Sequence, residues 1–198
     1  MLVTKKAPDF TAGAVLADNS IVDNFNLYEN FGSNGAVLFF YPLDFTFVCP
    51  SEIIAFGKRV DKFKENGINV IGISVDSVHT HYAWKNTPVN KGGIEGVGMP
   101  LVSDLDKEIS KNYDVLLDAG ISLRGSFLID KDGTVRHAVI NDLPLGRNVD
   151  EMLRMVDTML YTNEHGEVCP AGWNKGDVAM EGSHEGVATY LAQNEDKL

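Results

Sequence analysis

The segment AVLFFY, residues 36–41, is apolar without alternation and ends against Pro42. A run of that kind reads as a strand buried on both faces. From Ser51 the period changes: Ile53, Phe56, Val60 and Phe63 recur at helical spacing, charges fill the opposite face, and Asn66-Gly67 supplies a stop. A helix therefore begins at or just before Ser51. The β-branched run INVIGISVD, residues 68–76, comes next. A helix between two buried strands is the connection that parallel pairing needs, so these residues make a β-α-β unit. That unit dictates a sheet with a parallel centre and helices covering it.

The remaining elements follow the same logic. Residues 79–86 read as a short helix stopped before Pro88, MPLVSD as a short strand, and residues 106–113 as a helix that turns Ile109 and Tyr113 inward. GSFLIDKDGTVRHAVIN reads as a hairpin about Asp132-Gly133, with TVRHAVIN as a candidate sheet edge. Residues 150–160 carry Met152, Val156 and Leu160 on one face of an amphipathic helix. Strand, helix, strand, helix, then hairpin and helix is the element order of a thioredoxin-like α/β fold. From Asn163 onward Gly166, Pro170, Gly172, Gly176, Gly182 and Gly186 interrupt the chain and few residues show any period. Residues 1–162 are thus expected to form the body and residues 163–198 a C-terminal arm, either a mobile extension or a coil packed on that body.

Composition excludes several classes. With 198 residues, 44% of them hydrophobic, the chain can bury one real core. Its net charge of -11 repels phosphate backbones and anionic lipid, so neither nucleic acid nor membrane is an expected partner. No apolar run approaches the roughly 18 residues of a membrane span, and MLVTKKAPDF lacks the apolar stretch of a signal peptide. The chain reads as soluble and cytoplasmic. The five histidines show no ligand spacing: His79 and His81 stand too close on a helix to face one metal, which leaves them solvated or capping. No metal or cofactor is expected.

The two cysteines, Cys49 and Cys169, lie far apart and form neither a Cys-x-x-Cys pair nor a disulfide framework. Cys49 falls where the first strand gives way to the helix. Unpaired N–H groups and the positive end of the macrodipole at such a junction favour thiolate over thiol. Thr46, three residues earlier, brings a hydroxyl that can accept one hydrogen bond and donate another, as an oriented peroxide requires. Pro42 and Pro50 remove two backbone donors and stiffen the loop. Arg124 directly precedes a predicted core strand, where a cation gains little from burial without an anionic partner. Arg59 and Arg147 compete with it, though both read more easily as solvated charges. A blander reading stays open: Thr46 and Ser51 as caps, with Cys49 filling the junction.

The segment FFYPLDFTFVCPSE resembles the Pro-x-x-x-Thr-x-x-Cys signature of the peroxiredoxins, and GEVCPAGW resembles the resolving-cysteine segment of their typical two-cysteine branch, which includes alkyl hydroperoxide reductase C. SVDSVHTHYAWKNTP, MPLVSD, SLRGSFLIDKDGTVRH and VCPAGWNKGD extend the resemblance over nearly the whole chain. It implies a thioredoxin-like fold with N-terminal additions and a thiol-dependent peroxidase for hydrogen peroxide and small organic hydroperoxides. By the same resemblance Cys49 is the peroxidatic nucleophile, Thr46 orients the peroxide, Pro42 shields the sulfur and Arg124 stabilises thiolate and leaving oxygen. Cys169 resolves the sulfenic acid as a disulfide between subunits, and thioredoxin or a similar dithiol reductase recycles it. Glu52 and Trp84 match positions near that site, although a first-turn glutamate and a core tryptophan also explain them. Homodimers joined across an edge strand, assembled into decamers, are expected. A redox sensor of the same fold normally needs a Cys-x-x-Cys pair that is missing here; a holdase chaperone remains a possible second activity. Members sensitive to over-oxidation carry Gly-Gly-Leu-Gly in a loop and Tyr-Phe in the arm, against GGIE at residues 92–95 and Tyr190-Leu191 in this chain.

Overall fold

The computed structural model describes residues 1–197. Seven strands, β1 (Thr11–Val15), β2 (Ile21–Asn26), β3 (Gly35–Phe40), β4 (Ile68–Ser74), β5 (Leu101–Ser103), β6 (Arg124–Asp130) and β7 (Val135–Asn141), make one sheet in the order β2-β1-β5-β4-β3-β6-β7. β3, β4 and β5 pair in parallel at its centre, while β6 and β7 close one side antiparallel. This is the thioredoxin-like α/β arrangement that the β-α-β unit requires. Among the named strands β7 pairs with β6 and ends the sheet; residues 4–6 cover its first residue through two backbone bonds at Val135, and further along Val139 and Ile140 are exposed.

The helices are α1 (Cys49–Gly57), α2 (Val60–Glu65), α3 (Val78–Lys85), α4 (Glu108–Asn112), α5 (Val149–His165) and α6 (His184–Asn194). The single helix expected from Ser51 onward is two. At its middle Arg59 N–H bonds to the Phe56 carbonyl, three residues back, and Arg59 takes φ -115° and ψ 0°. Gly57 leaves room there for Val97, which would stand 3.2 Å from a Cβ. Weak helix propensity and a close neighbour break the helix at one place.

Two elements escape the pattern reading. The β1–β2 hairpin is short, and most of β2 is exposed or half-exposed, so no alternating run announces it. α6 lies within the expected arm; Ser183 caps it by accepting the Gly186 N–H at 3.0 Å, yet it buries none of its residues and shows no apolar period. The chain divides into two compact units, Met1–Val149 and Asp150–Leu198.

In the first unit Leu38, Phe40, Ile71, Ile73, Phe127 and Ile129 pack on one face of the sheet with Tyr113. On the other face Phe39 stacks against Phe56 of α1 with ring centroids 4.3 Å apart. That contact fixes α1 on the sheet and therefore fixes the position of its first residue, Cys49. Aromatic burial of this kind contributes about 1.5–3 kcal/mol per side chain before any stacking gain.

Candidate active site

Cys49 opens α1 with Pro50 directly behind it, where the missing proline donor costs the helix nothing. Val48 is the N-cap and supplies no side-chain cap bond. Ser51 Oγ donates to the Val48 carbonyl, and Thr46 does not cap at all: its hydroxyl lies 2.7 Å from the Leu43 carbonyl and 3.1 Å from Cys49 Sγ. A hydroxyl has one proton. That proton goes either to the Leu43 carbonyl or to Sγ, and in the first arrangement the hydroxyl oxygen beside the sulfur is free to accept a bond from a peroxide O–H. Phe45 holds a left-handed φ of +54° in the same loop, a strained conformation that the buried residues around it must impose.

Cys49 is fully buried. Arg124, the first residue of β6, reaches it from the neighbouring strand: Nη1 lies 3.4 Å from Sγ and 2.7 Å from Glu52 Oε2, while Nε donates to the Leu143 carbonyl at 2.6 Å. Glu52, one turn into α1, takes three more bonds from Arg147, through Nε at 2.8 Å, Nη2 at 2.9 Å and the backbone N–H at 2.8 Å. Arg147 also donates to the Gly125 carbonyl and Ser126 Oγ and lies over the Phe39 ring. The reading of Arg147 as a solvated charge is thus corrected, since its side chain is 3% exposed. Burial alone raises the Glu52 pKa, but the hydrogen bonds and charge of Arg147, with the charge of Arg124, outweigh it and hold the carboxyl below its ordinary value.

The charges beside the sulfur do not balance. Two guanidinium groups share one carboxylate, leaving an excess of one positive charge in a site closed to water. An anionic sulfur, or the oxygen anion released when a peroxide bond breaks, supplies the missing negative charge.

A profile of the AhpC/TSA family matches residues 3–138. The chain belongs to that family. Residues 159–193 match the C-terminal domain of 1-Cys peroxiredoxin, here with a second cysteine inside it. Alkyl hydroperoxide reductase C of Helicobacter pylori is 65% identical over the full length of both chains. Mouse peroxiredoxin-2 is 48% identical, over 97% of this chain and 96% of its own. The reduced 2-Cys peroxiredoxin of Plasmodium vivax superposes with a TM-score of 0.94 at 51% identity, over 98% of this chain and all of the other. The protein is a typical two-cysteine peroxiredoxin and a thiol-dependent peroxidase.

Within this peroxiredoxin, Thr46 and Arg124 converge on Cys49 Sγ, Glu52 reaches it through Arg124, and Pro42 lies buried just past β3. Trp84 is buried against Tyr41 and Phe45 and donates to the Gly92 carbonyl at 2.8 Å, so it supports the loop. Cys169 belongs to the second unit, free and half-buried in the turns after α5. His81 is neither solvated nor a cap: it is fully buried, with Nδ1 2.7 Å from Asp44 Oδ2 and Nε2 3.2 Å from the Val102 carbonyl. Tyr41 donates to the other oxygen of Asp44 at 2.8 Å. Burial raises the Asp44 pKa against the pull of the His81 hydrogen bond. This network braces the loop that carries Thr46. Among the described residues, no three His, Cys, Asp or Glu side chains converge as metal ligands, and no helix is long and apolar enough to cross a membrane.

Proposed function

We propose that this peroxiredoxin reduces hydrogen peroxide and small organic hydroperoxides through a sulfenic acid on Cys49. The thiolate attacks the nearer peroxide oxygen, the O–O bond breaks, and the leaving oxygen departs as water or alcohol after taking a proton. Thr46 aligns the peroxide by accepting its O–H. Arg124 stabilises charge on sulfur and leaving oxygen, and Pro42 shields the sulfur. Glu52 and Arg147 hold Arg124 in place, and Trp84 backs the loop. The observation that carries this reading is Sγ lying within 3.1 Å of Thr46 Oγ1 and 3.4 Å of Arg124 Nη1 in a buried, positively charged site.

Cys169 of the partner subunit then attacks the sulfenic sulfur, forming a disulfide and releasing water, and thioredoxin or a similar dithiol reductase restores both thiols. In this reading residues 1–162 are the peroxidase body and residues 163–198 the arm that delivers the resolving thiol. The β7 edge beyond Val135, where Val139 and Ile140 are exposed, supports pairing of two subunits, and in this reading the dimers join into decamers in the cytoplasm. Peroxide consumption by the purified protein with a thioredoxin system tests the reading; a thiol sensor or a holdase chaperone would not turn over. Steady consumption that stops with Cys49→Ser supports it, and no consumption above background refutes it.

A further inference from the structure

The second unit holds its cysteine in a built setting. Gly166, at φ +70°, ends α5 by donating its N–H to the Thr162 carbonyl at 3.0 Å, which reverses the chain and brings Cys169 back beside the last turn. Val168, the preceding residue, is fixed by two backbone bonds to Met180, at 2.9 and 3.0 Å. On the far side, Arg154 is clamped by Glu151 through two bonds of 2.7 Å and donates to the carbonyl of Trp173 at 2.8 Å. Trp173 in turn packs on Tyr161, whose hydroxyl donates to Glu167 at 2.6 Å. Residues on both sides of Cys169 are thereby tied to α5.

Inside this frame Thr162 Oγ1 lies 3.7 Å from Cys169 Sγ. One turn earlier Thr158 returns its hydroxyl to a helix carbonyl, the common use of a mid-helix threonine. Thr162 does not: among the described residues Cys169 Sγ is the one partner of its hydroxyl. A sulfur that must leave its resting place to meet a sulfenic acid in another subunit has to break that contact first.

We propose that Thr162 is a positioning residue for the resolving thiol, holding Sγ against α5 until the arm releases it. The inference rests on the reading of Cys169 as the resolving cysteine. In the step it controls, the thiol proton and the sulfenic hydroxyl leave together as water while the S–S bond forms, so no outside oxidant enters. The tether slows resolution and lengthens the life of the Cys49 sulfenic acid.

Stopped-flow tryptophan fluorescence separates the two steps, because oxidation is second order overall and quickens with peroxide concentration, while resolution is first order and independent of it. Thr162→Val keeps the shape and the helix propensity and removes the hydroxyl. The expected result is an unchanged second-order phase and a first-order phase faster by about threefold to tenfold, the scale of one weak hydrogen bond. Thr162→Ser, which restores the hydroxyl, returns the first-order phase to the wild-type rate. An unchanged or slower phase in Thr162→Val overturns the proposal. Equal acceleration in Thr162→Ser also overturns it, by assigning the effect to a frayed helix. Cys169→Ser is the control for the underlying reading: its first-order phase must vanish, and if it persists Cys169 is not the resolving thiol, whatever Thr162 does.

Discussion

Replacing Arg124 by alanine separates its charge from its role in folding. Glu52 accepts one bond from Arg124 and three from Arg147, so the carboxylate stays paired when Arg124 is lost. Orphaning a buried charge costs about 3–5 kcal/mol. Here the expected loss is about 1–3 kcal/mol, dominated by the undonated Leu143 carbonyl and the trimmed packing. The protein should fold, with a lower melting temperature and an unchanged far-ultraviolet spectrum. Chemistry should suffer more. The site then carries one guanidinium and one carboxylate, so nothing balances an anionic sulfur or a departing oxygen anion. One preorganised donor aimed at developing charge is worth about 10²–10³-fold in rate. Stopped-flow oxidation by hydrogen peroxide should show a second-order constant lower by that factor, with Arg124→Lys in between because an ammonium keeps the charge and loses the fork. A folded Arg124→Ala protein that oxidises within about threefold of wild type would refute the charge argument, since such a change is far below one donor's worth.

Cys49→Ser should abolish turnover in a thioredoxin-coupled assay, because a serine hydroxyl stays protonated where a thiolate must form. Cys169→Ser should keep the first rapid oxidation and lose recycling; normal cycling with thioredoxin would remove its assigned role. The depressed Glu52 pKa predicts a stability contribution that is complete above the ordinary glutamate value of 4.5 and is lost as pH falls through the lower folded-state value. Melting curves should therefore converge for wild type and Glu52→Gln as pH drops below 4.5; a gap that stays constant with pH would contradict this. Glu95, exposed beside buried Ile94, and Leu191, 42% exposed on α6, stand where, by the resemblance, over-oxidation-sensitive members carry glycine and phenylalanine. Both should loosen the arm and speed disulfide formation, so mass spectrometry of Cys49 under rising peroxide should show little sulfinic acid compared with sensitive relatives.

The parts legible in the sequence are those fixed by local pattern. AVLFFY and INVIGISVD had to be parallel strands because neither has a polar face, and Cys49 had to open a helix because the period changes beside it. Arg124 stood out because a cation before a core strand needs an anion. Its anion, Glu52, binds a second arginine 95 residues further along, and no local pattern marks that pairing. A hint existed, since a buried carboxylate facing one guanidinium has lone pairs to spare. His81 escaped for the same reason: its partner Asp44 lies 37 residues away, and only the sheet brings them together. The β1–β2 hairpin and α6 were invisible because mostly exposed elements carry little apolar periodicity.

The central claim, that Cys49 and Cys169 of two subunits form one redox couple, is tested most directly by peptide mapping without reductant after one equivalent of hydrogen peroxide. The prediction is a dimer on a non-reducing gel and a cross-linked peptide joining Cys49 to Cys169. A product that runs only as monomer with no free thiol, or one in which Cys49 remains open to alkylation, would contradict it.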